Sequence, residues 1–213
     1  AKKILLAFDG TGNNARDFLP ELVPNEDVDR SFTNVLKLHL LAGGAISDPN
    51  RTDIDGQISL YERGIGANTD IKLLSIIRQI GGDLSRQTKP MRRRLEAVYE
   101  RGEKIYMIGF SRGSASARKF AVDLHKDGLR TKDGELVPDP PVEFLGCFDT
   151  VSVQIKRRGY KILWNRLSKQ MPKSTVLGEK GRIPPNVKLA VHNVAMDDNR
   201  MFDTLMRYPP ILM

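Results

Sequence analysis

The sequence predicts an α/β fold with a mostly parallel sheet and helices on both faces. Short apolar, β-prone runs alternate along the chain with segments of helical periodicity. Strands that alternate with helices pair in parallel, because each helix carries the chain back to the end of the sheet from which it came. A chain of 213 residues that is 40% hydrophobic can bury one core, so we expect a single domain over 1–213.

The expected elements follow one another from the amino terminus. The strands are expected at 3–8, 58–62, 104–108, 142–148 and 187–191. The helices are expected near 31–42, at 70–80, around 91–99 and from 112 onward. The last helix has a predicted buried face with i, i+3, i+4, i+7 spacing, formed by Ala117, Phe120, Ala121 and Leu124.

A serine lies between the strand at 104–108 and that last helix, in Gly109-Phe110-Ser111-Arg112-Gly113. This pattern is typical of a nucleophile elbow, a strained strand-to-helix turn that lifts the serine hydroxyl above the sheet edge. Gly109 and Gly113 have no side chains, so strand and helix can approach closely around the serine. The motif predicts that Ser111 is a nucleophile in an α/β-hydrolase-like fold.

A serine nucleophile needs a base to accept its proton and an acid to orient that base. In α/β-hydrolases the acid and then the histidine follow the serine along the chain. Of the three histidines, His39 precedes the serine and His125 lies near the far end of the elbow helix. His192 directly follows the strand at 187–191, so we predict that His192 is the base.

The acid is expected at the carboxyl end of a strand between the serine and His192. Asp149 directly follows the strand at 142–148, and parallel strands bring their carboxyl ends to one edge of a sheet. We therefore predict that Asp149 is the acid. Asp197 and Asp198, shortly after His192, remain alternatives.

The first strand ends in a polar, glycine-rich turn that begins Asp9-Gly10-Thr11. We expect the backbone of Gly10 and Thr11 to supply one oxyanion donor, the Arg112 N–H to supply the other, and Asp9 to orient the turn. An ordinary tight turn has a similar composition. The turn also resembles that of phosphate-handling enzymes with an aspartate nucleophile, but Ala7 stands at the nucleophile position.

Several ordered segments give the chain a family resemblance. They are 8–13, 61–66, 108–114, 148–151 and 192–200. Together they resemble the type VI secretion lipase effectors (phospholipase-like) and their α/β-hydrolase relatives over most of the chain. The resemblance implies a Ser-Asp-His triad of Ser111, Asp149 and His192, and a lipid acyl ester as substrate. Such a triad needs no metal or cofactor.

The resemblance also bears on partners and location. It implies a phospholipase that is an antibacterial effector, with a delivery protein and a neutralising immunity protein as partners. We expect a protein that is cytoplasmic in the producer and is exported without a signal peptide to a target cell's periplasm or membrane. Ser114 departs from the alanine that is common in that family. Relatives usually continue beyond the last segment, so we expect residues at the ends or in loops to be absent from this sequence.

Positive charge is concentrated in two stretches of a chain whose formal net charge is +8. One is Arg92-Arg93-Arg94, and the other, 156–173, interleaves seven basic residues with Trp164 and an apolar stripe. The second stretch is suited to an anionic lipid surface through Trp164, Lys156, Arg157 and Arg158. Its position makes 152–186 a candidate lid or membrane-facing insertion. A solvated helix that packs its stripe on the core explains the same pattern.

Composition argues against several other classes. No run reaches the roughly 20 apolar residues of a membrane span, and we expect no signal peptide before the first strand. The single cysteine, Cys147, lies in an expected buried strand and excludes an internal disulfide. No residues have metal-ligand spacing, and no nucleic-acid module accompanies the basic charge. A catalytically inactive binding module remains the alternative to a serine esterase.

Overall fold

The computed structural model describes residues 1–11, 32–46, 54, 56–64, 84–150 and 182–194. The strands are β1 (Lys3–Phe8), β2 (Gln57–Glu62), β3 (Lys104–Phe110), β4 (Leu129–Arg130), β5 (Leu136–Val137), β6 (Val142–Phe148) and β7 (Ala190–Asn193). The helices are α1 (Asn34–Leu41), α2 (Ser85–Glu96) and α3 (Arg112–Asp127). Five strands form a parallel sheet in the order β2-β1-β3-β6-β7, and β4 and β5 form a small antiparallel hairpin. The predicted α/β class is confirmed.

The alternation of side chains along the strands divides the core between the two faces of the sheet. On one face, strand residues such as Leu6 and Met107 pack with Met91 and Leu95 of α2 and with Phe120 of α3. On the other face, smaller in extent, the strands pack with α1, through Ala7, Ile108, Val35 and Leu36. Helices therefore cover both faces, as the sequence predicts. The expected buried face of α3 is also confirmed, because its four residues are fully buried.

Several element boundaries differ from the sequence expectation, among them those of the helix expected around 91–99, which begins at Ser85, and of the last strand. The helix expected around 91–99 ends at Glu96, although the Tyr99 N–H still donates to the Leu95 carbonyl (2.8 Å) and Tyr99 is buried. The last strand includes His192 instead of ending before it, because His192 is paired in register with Cys147. The expected helix at 70–80 lies outside the described residues.

The order of the strands creates a reversal between β1 and β3. The chain moves from β1 to its neighbour β2 and then crosses to β3 on the other side of β1. In open parallel sheets, ligands bind at the carboxyl ends of the strands where the order reverses in this way. In this chain the reversal lies between the turn after β1 and Ser111 after β3.

Neither a membrane-spanning helix nor a metal-binding cluster occurs among the described residues. None of the helices described here has the length and apolar composition needed to cross a bilayer. The described residues also contain no group of three or more His, Cys, Asp or Glu side chains placed to hold a metal ion.

Replacing Leu95 by alanine should lower the free energy of unfolding by about 2–5 kcal/mol, because this fully buried side chain would leave a cavity in the core. Leu41→Ala is the matched control. Leu41 is 77% exposed, and its replacement should change the free energy of unfolding by less than about 0.5 kcal/mol. Chemical denaturation measures both values, and equal losses in the two variants would contradict the assigned core.

Candidate active site

Ser111 occupies a sharp turn between β3 and α3. Its φ of 54° and ψ of −117° are strained for a residue with a side chain. The Ser111 N–H donates to the Phe148 carbonyl (2.8 Å), which ties the turn to the end of β6. A strained serine between a strand and a helix is the local geometry of a nucleophile elbow.

The two glycines of the motif lie where side chains would collide with backbone. A Cβ at Gly113 would lie 2.1 Å from the Phe8 carbonyl oxygen and 2.6 Å from that of Asp9. A Cβ at Gly109 would lie 2.6 Å from the Gly113 carbonyl group. Both distances are far below van der Waals contact and involve backbone atoms, which cannot shift without distorting the strand or the helix. Glycine is therefore required at both positions.

Asp149 and His192 lie at the same edge of the sheet as Ser111. Asp149 directly follows β6 with a φ of 46°, and its N–H donates to the Asn193 carbonyl (2.8 Å). His192 lies one residue before the end of β7. The three residues thus come from the carboxyl ends of three adjacent strands, β3, β6 and β7.

The His192 imidazole is half-buried and is held by the backbone. Its Nε2 accepts a hydrogen bond from the Thr150 N–H (3.2 Å), and its buried Nδ1 has no hydrogen-bond partner in the described part of the chain. Burial lowers the pKa of His192, as does the Arg118 guanidinium, whereas the Asp149 carboxylate acts in the opposite direction. The neutral imidazole is therefore favoured.

Asp9 is buried and is held by three donors from separate parts of the chain. Its carboxylate accepts hydrogen bonds from the Gly10 N–H (2.7 Å), the Thr33 hydroxyl (2.9 Å) and the Tyr61 hydroxyl (2.7 Å). Burial raises the pKa of Asp9, and the three hydrogen bonds oppose that rise. Asp9 thus joins the turn after β1 to the start of α1 and to β2.

Gln87 braces the same turn from α2. Its side-chain amide donates to the Asp9 carbonyl (2.9 Å) and to the Arg63 carbonyl (2.8 Å), and its Oε1 accepts from the Ser116 hydroxyl (2.6 Å). Gln87 is 1% exposed. One side chain therefore fixes the turn after β1, the segment after β2 and the elbow helix relative to one another.

The expected oxyanion donors lie in different surroundings. Arg112 is the first residue of α3, and the first N–H groups of a helix have no acceptor within it. The Gly10 N–H, in contrast, donates to the Asp9 carboxylate.

Burial and the charge of Arg86 lower the pKa of the Arg112 side chain to about 10.

Some expected residues lie outside the described ranges, and some bracing residues were missed. Trp164, Lys156, Arg157 and Arg158, the alternative acids Asp197 and Asp198, and most of the candidate lid at 152–186 are outside. The missed bracing residues are Thr33, Gln87 and Ser116. No local pattern marks them, because their partners are distant in the sequence. Tyr61 lies in a segment that carries the family resemblance, but its bond to Asp9 depends on the pairing of β1 with β2.

Comparison with known families gives one match over well over half of the chain. The profile of the type VI secretion phospholipase effector Tle1-like catalytic domain matches residues 2–138. The matched stretch contains Ser111 and ends before Asp149 and His192.

Individual relatives are more distant. The uncharacterized protein YEL023C of Saccharomyces cerevisiae is 32% identical over 145 residues, which cover 62% of this chain and 18% of that protein. The solved structure of the Tle1 effector bound to the VgrG spike of the type VI secretion system has a TM-score of 0.47 at 19% identity, covering 90% of this chain and 44% of that one. An uncharacterized Pseudomonas aeruginosa protein has a TM-score of 0.46 at 21% identity, covering 91% and 35%. The chain spans less than half the length of each of these three proteins.

The ionisation of His192 can be measured by NMR titration of the imidazole groups. We expect its pKa to lie below the ordinary value of 6.5 and to fall further in Asp149→Asn, because that substitution removes the charge that favours the protonated ring. His39 serves as an internal reference. Burial lowers its pKa to about 4, and that pKa should be the same in the wild-type protein and in Asp149→Asn. A rise of the His192 pKa in Asp149→Asn would contradict this account.

Proposed function

The chain belongs to the family of type VI secretion Tle1-like phospholipase effector catalytic domains, and on that premise we propose that it is a serine-dependent carboxylic ester hydrolase acting on acyl esters of membrane lipids. The observation that carries the proposal is the strained Ser111 turn between β3 and α3, beside the reversal of strand order. Asp149 and His192 at the two adjacent strand ends support it.

In the proposed reaction, Ser111 Oγ attacks the acyl carbonyl while His192 accepts the hydroxyl proton. Asp149 stabilises the imidazolium, and His192 then gives the proton to the leaving alcohol. Water hydrolyses the acyl-enzyme by the same steps and frees Ser111. To start the reaction, the His192 Nε2 must exchange the Thr150 N–H for the Ser111 hydroxyl. Its lowered pKa favours the proton-accepting form near neutral pH.

The oxyanion in this proposal is stabilised from two sides. The Arg112 N–H lies at the amino end of α3, where the helix dipole favours negative charge. The Thr11 N–H supplies the second donor from the turn after β1. Gly10 has a different role, because its N–H holds the Asp9 carboxylate and so fixes the turn.

The geometry of Asp9 disfavours the phosphate-handling alternative. Ala7 stands where such an enzyme has its aspartate nucleophile, and Asp9, the other aspartate position of that motif, would have to reach the phosphate group. Asp9 is 1% exposed, accepts three hydrogen bonds and has a raised pKa. These properties support a structural role in bracing the turn.

As an effector, the protein would be secreted from the producer into a target cell. We propose that a delivery protein and a neutralising immunity protein are its partners, the former because a similar effector was solved bound to a VgrG spike. Contact with an anionic membrane surface is proposed for Trp164, Lys156, Arg157 and Arg158.

Labelling with a fluorophosphonate probe, followed by intact-mass measurement, tests the nucleophile. The wild-type protein should form one adduct, because a serine activated by His192 attacks the phosphorus atom. Ser111→Ala should form none.

Ser114→Ala is the matched control, three residues away. The Ser114 hydroxyl donates to the Gly109 carbonyl (2.5 Å) and accepts from the Phe148 N–H (3.0 Å). Alanine loses both hydrogen bonds but keeps the Ser111 hydroxyl, so an adduct should still form. A folded wild-type protein that forms no adduct would support the inactive binding module and contradict the esterase.

Gln87→Leu tests whether the brace positions the oxyanion turn. The loss of its hydrogen bonds leaves buried polar groups unpaired. We expect kcat for a short ester to fall about tenfold to a hundredfold with a small change in KM, because the affected donors act mainly in the transition state.

Gln57→Leu is the control for that variant. Gln57 donates to the Ala42 carbonyl (2.9 Å) at the amino end of β2, far from the site. Its replacement should leave kcat unchanged. An equal fall in kcat in both variants would show a general loss of stability instead of mispositioned donors.

A further inference from the structure

A cavity of about 460 Å³ adjoins the Ser111 elbow. Phe110, which directly precedes Ser111, and Asp149 both line it. The other described lining residues come from the segment that starts α1 and from the ends of β6 and β7, and they are Phe32, Thr33, Asn34, Phe148, Asn193 and Val194.

The sheet side of the cavity is one row of paired residues. Phe110 of β3 is paired with Phe148 of β6, which is paired with Asn193 of β7. Paired residues of parallel strands lie on the same face of the sheet. We call these three residues the cavity row, and they lie on the face that α1 covers. The segment beginning at Phe32 forms the opposite side.

Half of the described lining residues are apolar and suit a hydrocarbon ligand, and the polar ones are Thr33, Asn34, Asp149 and Asn193. Three phenylalanines and Val194 supply apolar surface, and the cavity volume lies within the roughly 300–1000 Å³ of small-molecule sites. Among the described lining residues, Asp149 is the only ionisable one and none is basic. A phosphate group would meet, among the described lining residues, the Asp149 carboxylate and no cation, which favours an acyl chain over a lipid head group.

We propose that this cavity binds the acyl chain of the ester that Ser111 attacks and sets the chain length that the enzyme prefers. The inference rests on the proposed function and names a site for one half of its substrate. The acyl carbon bonded to Ser111 Oγ lies next to the cavity row, because Phe110 precedes Ser111 and the Phe148 carbonyl accepts the Ser111 N–H. The chain enters the cavity, and the alcohol leaves from the opposite side.

Hydrolysis of p-nitrophenyl esters from acetate to palmitate tests the proposal. For the wild-type protein, kcat/KM should rise about fourfold per added methylene until the cavity is full, and then level off. The Val194 side chain lines the cavity and is 43% exposed, so a tryptophan can be placed there. Val194→Trp should narrow the cavity and move the preferred acyl chain length to shorter chains. Phe32→Ala widens the opposite side and should move it to longer chains.

Leu189→Trp is the matched control. Leu189 is 55% exposed, lies just before β7 and does not line the cavity. The chain-length profile should be unchanged in this variant. A profile that is flat in the wild type, or that shifts equally in Val194→Trp and Leu189→Trp, would overturn the inference and leave the esterase intact.

A binding measurement separates the cavity from catalysis. Ser111→Ala protein should bind 1-octanol in a calorimetric titration, and the added Val194→Trp substitution should weaken binding at least tenfold, whereas Leu189→Trp should not. Octanol binding with this pattern in a protein that hydrolyses no ester would refute the proposed function and support the alkyl site. Ester hydrolysis with no octanol binding would refute the site alone.

Discussion

The close approach of α3 to the end of β1 is the constraint on which the rest of the site depends. At Gly113 the helix backbone lies so near the Phe8 and Asp9 carbonyls that a methyl group would not fit. This contact places the N–H groups at the start of α3, which have no acceptor within the helix, beside the turn that contains Thr11. Without it, the tetrahedral intermediate proposed on Ser111 would have donors on one side only.

The buried Asp9 carboxylate shows how that approach is maintained. Burial of a carboxylate is costly, and the raised pKa of Asp9 reflects this. Its hydrogen bonds to Gly10, Thr33 and Tyr61 offset the cost only when the turn, α1 and β2 are all in place. Gln87 adds α2 to the same assembly through the Asp9 carbonyl. The turn is therefore held by three elements, α1, β2 and α2, which would keep its proposed oxyanion donor in position before substrate arrives.

The features that sequence reasoning predicted are local, and those it missed depend on pairing across the sheet. The elbow around Ser111 and the place of Asp149 after β6 follow from strand periodicity and glycine spacing within a few residues. The Gln87 brace joins residues more than 20 positions apart, and the direction of the Gly10 N–H depends on a neighbouring side chain. The cavity row requires the register of three strands, which the sequence pattern alone does not determine.

That register also places the proposed base and the proposed chain-binding row on opposite faces of the sheet, with Asp149 beside both. His192 is paired with Cys147 and lies on the α3 face, whereas Asn193 belongs to the cavity row on the α1 face. Ser111 and Asp149 follow the strand ends with positive φ, so their backbones leave the pleat at the boundary between the two faces. A slip of β7 by one residue would exchange His192 and Asn193 between faces. The bond from the Asp149 N–H to the Asn193 carbonyl opposes that slip, so the residue proposed as the acid also helps to keep the proposed base on the α3 face.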